Sequence, residues 1–271
     1  MMCLIEPFID NNLEPPRKYY FNANKKVIYI DKPDDYYMKI QIAIRLSRDI
    51  MKHLCLRKYN VNLHGGMVTY KGKGICFLGP KKAGKTSLLL SLLSEKETTF
   101  VSNDDMSISI DPDDNIEGYG WPRAVSIRKD SIISMGDMLK KYDFCFNSYH
   151  PYNSIDKRNS SLVLYPIELA NIFECSILPK SKVDIIVFPK FDNDCIFEYK
   201  ELSYQEKVVN LKRNINVEVD RYFVDFKGYF EGKNELDICL SKIARIKMFS
   251  ITQNIQHMDY VRDWFRRGGY V

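Results

Sequence analysis

The chain has 271 residues, 45% hydrophobic and 28% charged, with a formal net charge of +5. That balance fits a globular protein of one large domain, or one domain with a small appendage, and excludes disordered and fibrous classes. The mild basicity suits an anionic ligand, but no Lys/Arg stripe recurs, which argues against nucleic acid.

Residues 1–35 are polar and Pro-containing, with short strands predicted at Lys18–Asn22 and Lys26–Tyr29. From Met38 to Cys55 the residues Ile40, Ala43, Ile44, Ile50, Met51 and Leu54 recur near a 3.6-residue period, predicting a helix that packs this face on a core. Short strands follow at Val61–Leu63, Gly66–Tyr70 and Ile75–Leu78, the last two joined by a turn at 71–74. Thr86–Leu93 reads as a compact apolar helix, and Thr98–Val101 and Met106–Ile110 as strands before a turn at Asp111–Asn115. Further on, helices are expected at Ser131–Lys141, Pro166–Phe173, Tyr204–Arg213, 234–248 and Tyr260–Arg267, with a buried strand at Val183–Phe188.

Seven scattered cysteines (3, 55, 76, 145, 175, 195 and 239) form no CxxC pair, which points to a reducing compartment rather than a zinc site or disulfide framework. The N-terminus lacks a secretory pattern, and no window approaches the ~20 apolar residues of a membrane span. A cytoplasmic protein with no membrane partner is the expectation.

One motif decides the chemistry. Gly79-Pro80-Lys81-Lys82-Ala83-Gly84-Lys85-Thr86 matches G-x-x-x-x-G-K-[ST] in full. The glycines let the backbone gather N–H groups into an anion nest, and the helix that follows aims its positive dipole end there. Lys85 supplies charge to phosphates, Thr86 offers a hydroxyl to Mg2+, and Ser87 completes the first turn. A chance match in a chain this long is on the order of 1%, and the preceding apolar strand and following helix are the context a genuine phosphate loop needs. ATP with Mg2+ is the expected ligand pair.

The next strand ends in Asp104-Asp105. A phosphate-loop enzyme needs an acid at a strand end for hydrated magnesium, and phosphoryl transfer gains from a base beside the acceptor hydroxyl. Two adjacent acids could divide these tasks, or form a simple turn pair. His64, beside Gly65 and Gly66, is a catalyst or a satisfied structural histidine.

These elements in this order resemble the HPr kinase family in its broad sense. The resemblance lies in Leu63-His64-Gly65, Gly79–Thr86 and Asp104-Asp105. Weaker echoes are Trp121–Arg128 and Ile186–Lys190, and the likeness spans roughly 60–210. It implies an α/β fold related to phosphoenolpyruvate carboxykinase, a curved mixed sheet flanked by helices. It also implies transfer of phosphate from ATP to a hydroxyl. By position His64, Lys85 and Asp105 would be catalytic and Thr86 with Asp104 would hold the metal, the two acids being exchangeable. Bifunctional members carry a Glu-Ile-Arg-Gly-type segment after the Asp pair, where this chain has Glu117-Gly118-Tyr119-Gly120. A Ser or Thr of a peptide or small protein is therefore the expected acceptor rather than HPr itself. The alternatives are a small-molecule hydroxyl, or a nucleotide-binding sensor without transfer. The expected organisation is an N-terminal segment (1–57) packed on a P-loop kinase domain (58–250) with a helical tail (251–271). Together these form one compact domain, open to homo-oligomerisation.

Overall fold

A computed structural model describes residues 2–5, 18–22, 24–31, 36–55, 60–136, 139, 161–215 and 236–270. The protein belongs to the α/β class and divides into two compact units, Met1–Asn60 with Asn216–Asn234, and Val61–Ile215 with Glu235–Val271.

In the first unit, β1 (Met2–Ile5), β2 (Lys18–Asn22) and β3 (Val27–Asp31) form an antiparallel sheet in that order. The sheet packs on α1 (Tyr36–Cys55) through Tyr19, Ile42 and Leu46, with Phe21, Ile28, Ile30 and Ile50 at the margin. This corrects the expected face of the helix. Ile40, Ile44 and Met51 are exposed, Ile42 and Leu46 are buried instead, and of the expected row Ile50 packs partly buried beside them. The helix carries apolar residues on more than one side, so periodicity alone could not choose between them.

β4 (Asn60–Leu63) begins at the last residue of the Met1–Asn60 segment and continues into the second unit, where β5 (Gly65–Tyr70) and β6 (Lys73–Leu78) are followed by α2 (Lys85–Leu93) and β7 (Thr98–Ser102). A tight turn joins β5 to β6, with φ of +48° at Lys71 and +75° at Gly72, the left-handed pair that suits a two-residue hairpin. Next come β8 (Met106–Ile110), β9 (Ile116–Gly120), β10 (Val125–Arg128), α3 (Lys129–Ser134), β11 (Ser161–Leu164), α4 (Pro166–Phe173) and β12 (Lys180–Lys182). The described chain closes with β13 (Ile185–Phe191), β14 (Phe197–Glu201), α5 (Tyr204–Arg213), α6 (Leu236–Ile243), β15 (Lys247–Gln253) and α7 (Met258–Arg266).

The central sheet has the order β14-β15-β13-β6-β5-β7 and is mixed: β15, β13 and β6 run parallel, while β5 is antiparallel to both β6 and β7. A second sheet, β12-β9-β8-β4, and a β10-β11 pair flank it. Both faces of the central sheet are covered, and strand alternation divides its side chains between two cores. Val68, Ile75, Phe77, Ile185, Val187, Phe249 and Ile251 enter the core shared with α2 and α7. Met67, Cys76, Leu78, Ile186, Phe188 and Met248 enter the opposite core, with β4, β8, β9, α5 and α6. Leu88, Leu89, Leu90, Leu92 and Leu93 are all buried, so α2 is apolar on every side because it lies inside the structure rather than on its surface.

Three helical expectations change. The helix expected over Ser131–Lys141 runs instead from Lys129 to Ser134, with a turn at Met135–Gly136 and most of the rest outside the described residues. The stretch 234–248 is helical only over Leu236–Ile243 among the described residues, and Lys247 and Met248 already belong to β15. Ile251–Gln253 completes that strand, so the terminal segment begins in the sheet rather than in a helical tail. Met248, Phe249 and Ile251 bury on alternate faces between β13 and β14, where ladder hydrogen bonds override any local helical preference.

Candidate functional site

Because β5 runs against β6 and β7, its beginning lies beside their ends. Gly65 pairs with Leu78, and Met67 with Ser102. One edge of the sheet therefore gathers His64, the Gly79–Thr86 loop and Asn103-Asp104-Asp105, the carboxyl-end position where open α/β sheets bind ligands.

The loop leaves β6 at Gly79 and enters α2 at Lys85. Lys82 and Gly84 adopt left-handed φ values of +72° and +99°, conformations that bend a backbone into an anion-binding concavity. Gly84 precedes the first residue of α2 and has no alternative there. A β-carbon would overlap Gln253 Nε2 and fall 2.9 Å from the Phe191 ring. Ala83 N–H donates to Pro80 O at 3.2 Å and Leu88 N–H to Gly84 O at 3.0 Å, closing the loop and starting the helix. Gly79, Ala83, Gly84, Lys85 and Ser87 are buried, while Pro80, Lys81 and Lys82 are exposed and Thr86 is half-buried.

Lys85 folds back over the loop, its ammonium donating to Gly79 O at 2.7 Å and Pro80 O at 2.9 Å. Burial pushes its pKa below the usual lysine range, and the charge of Asp104 opposes that shift. Thr86 Oγ1 donates to Asn103 Oδ1 at 3.4 Å. Asp104 sits in the left-handed region with φ of +65°, a conformation that aspartate tolerates better than most residues.

His64 occupies the bend between β4 and β5, held by its backbone N–H donating to Asn214 O at 3.0 Å. Its Nδ1 lies 3.0 Å from the carbonyl oxygen of Asp104. Burial, the Lys85 charge and Arg123 lower its pKa below the ordinary histidine value, against the opposing pull of Asp104.

Asp105 is buried, with Arg123 Nη1 3.5 Å from its Oδ2 and its backbone carbonyl accepting from the Ser102 hydroxyl. Behind it, Trp121 Nε1 donates to Ser107 Oγ at 2.8 Å, and that hydroxyl donates to Asn62 Oδ1. This chain ties the Trp121 segment to β8 and β4 beneath the site.

His64, the Gly79–Thr86 loop and the Asp104-Asp105 pair, singled out from the sequence, thus lie along this one edge. Four further residues join them: Asn103, Arg123, Phe191 and Gln253. Arg123 lies within the Trp121–Arg128 echo, and Asn103 directly precedes the Asp pair. Phe191 and Gln253, paired across the ends of β13 and β15, carry no sequence signal for this role.

The donor set fits a magnesium–polyphosphate group. Magnesium keeps several waters and takes only one or two protein oxygens, which the Thr86 hydroxyl and the Asp104 carboxylate can supply. Among the described residues no three His, Cys, Asp or Glu side chains cluster as a metal site of the fully liganded kind. The loop cradle, which a β-carbon at Gly84 would disrupt, suits phosphate oxygens. No helix among the described residues is long and apolar enough to cross a membrane.

No protein-family model and no curated protein matches the chain. Among solved structures it is similar to the HPr(Ser) kinase/phosphatase from Coxiella burnetii, at 9% identity and a TM-score of 0.37. That match covers 77% of this chain and 95% of the other.

Proposed function

We propose that this chain is a cytoplasmic P-loop kinase of the HPr-kinase-related kind, with a phosphoenolpyruvate-carboxykinase-like fold. It would pass the terminal phosphate of ATP to a hydroxyl, a Ser or Thr of a peptide or small protein. The observation that carries this reading is the meeting of the Gly79–Thr86 loop, His64 and the Asp104-Asp105 pair at one sheet edge. Mere nucleotide binding needs the loop and one acid for magnesium, but neither His64 nor a second acid.

In this reading the backbone of Gly79–Ser87 and the Lys85 ammonium hold the phosphates, and Thr86 with Asp104 holds magnesium. The bound metal would neutralise charge on the phosphate oxygens. Asp105, kept in place by Arg123, would accept the proton of the acceptor hydroxyl. As it does so, the acceptor oxygen bonds to phosphorus and the bond to the departing diphosphate oxygen breaks, so that ADP leaves. His64, neutral near pH 7, would present its second ring nitrogen to the same space.

One observation favours the second reading, a nucleotide-responsive sensor: Asp105 is already paired to a cation and buried. Transfer of labelled γ-phosphate to Ser/Thr peptides, small proteins and small hydroxyl compounds separates the two. A kinase shows transfer that falls by about 10²–10⁴-fold in Asp105→Asn while ATP affinity stays near that of the parent. Binding of ATP with no transfer to any acceptor class would establish the sensor instead.

A further inference from the structure

Asn103 is only 3% exposed, yet its amide is half used. Oδ1 accepts from the Thr86 hydroxyl, whereas Nδ2 is buried without a partner among the described residues. A buried donor left unpaired costs stability, so such groups in native proteins call for an explanation. The residue is also held closely from behind. A β-carbon on Gly66 would lie 3.0 Å from Ser102 O and 3.5 Å from the Cα of Asn103, so glycine is what lets β5 approach the end of β7.

We infer that Asn103 reads the terminal phosphate of the nucleotide: Nδ2 donates to one of its oxygens while Oδ1 accepts the hydrogen bond of the Thr86 hydroxyl. The second contact leaves the lone pairs of the Thr86 hydroxyl for the cation. An aspartate here would accept the same hydrogen bond but would repel the phosphate. A leucine would fill the space and do neither. Asparagine alone serves both sides, and it does so next to the residue whose hydroxyl addresses the metal. This assignment rests on the polyphosphate reading of the loop and extends it to discrimination between tri- and diphosphate.

The test is calorimetric affinity for ATP–Mg2+ and ADP–Mg2+, with thermal melts, for the parent, Asn103→Leu and Asn103→Asp. The parent should prefer ATP. Asn103→Leu should lose about tenfold or more in ATP affinity, the usual scale for a hydrogen bond to a charged group. It should lose much less for ADP, and its melting temperature should not fall, because the unpaired donor has gone from the interior. A residue that merely supports the fold would lower the melting temperature and weaken both nucleotides alike. If Asn103→Leu does not fold, Asn103→Asp carries the test, and it too should lose the preference for ATP. A preference retained in a folded variant overturns the role of Asn103 and leaves the loop assignment standing. A parent that binds neither nucleotide overturns the loop assignment itself.

Discussion

His64 Nδ1 lies 3.0 Å from the backbone oxygen of Asp104, and since a carbonyl can only accept, Nδ1 carries the proton. The tautomer follows: Nε2 is the acceptor nitrogen of the neutral ring. A backbone contact thus couples the histidine to the Asp pair without a hydrogen bond to either carboxylate.

This geometry has a pH signature. Burial is the largest cause lowering the pKa of His64, followed by Lys85. A depressed folded-state value means that the unfolded chain binds the proton more readily. The contribution to stability is therefore fully present above the ordinary histidine pKa of about 6.5 and is lost as pH falls through the folded value. Between pH 7.5 and 5.5 the melting temperature of the parent should drop further than that of His64→Gln, whose side chain does not titrate. Parallel drops would show that His64 titrates as it would in the unfolded chain.

Gly84→Ala should unfold the loop before it affects anything else. The φ of +99° is strained for alanine, and the added carbon overlaps Gln253 and presses on Phe191. Left-handed strain alone costs about 1–3 kcal/mol, so a melting temperature lower by about 5 °C or more is expected. ATP binding should be lost as well. A variant with parental stability would mean that Gln253 and Phe191 move aside without penalty.

Lys85→Met keeps the length of the buried side chain and removes its charge. Two loop carbonyls lose their donor, but the methionine still fills the space, so the fold should persist. ATP–Mg2+ affinity should fall by about tenfold or more, the scale of one charge-assisted hydrogen bond. Calorimetry on the folded variant measures this, and unchanged affinity would remove Lys85 from the phosphate site.

Thr86→Ala separates metal from phosphate. The hydroxyl addresses Asn103 and, in the proposed site, the cation, so the variant should need several-fold more magnesium for ATP binding. Its affinity for metal-free ATP should stay near that of the parent. Coincident magnesium titrations would contradict the assignment.

The sequence by itself determined the local elements: the turn-forming glycines of Gly79–Thr86, the apolar α2 behind it, and the acids at the end of β7. Such signals are readable because each depends on residues within a few positions of one another, through backbone freedom, helix period and strand alternation. The same logic failed at α1, where apolar residues on several sides left the buried face open, and at β15, which follows a helix after a short turn with no Gly or Pro to announce a strand. Only the tertiary structure decided that His64 meets the backbone of Asp104, that Arg123 covers Asp105, and that Gln253 stands against Gly84, 169 residues away in the chain. The relations of His64 and Gln253 come from the order β15-β13-β6-β5-β7. Strand order is set by which buried faces fit together across two cores, a property of the whole packed sheet that no short window of sequence contains.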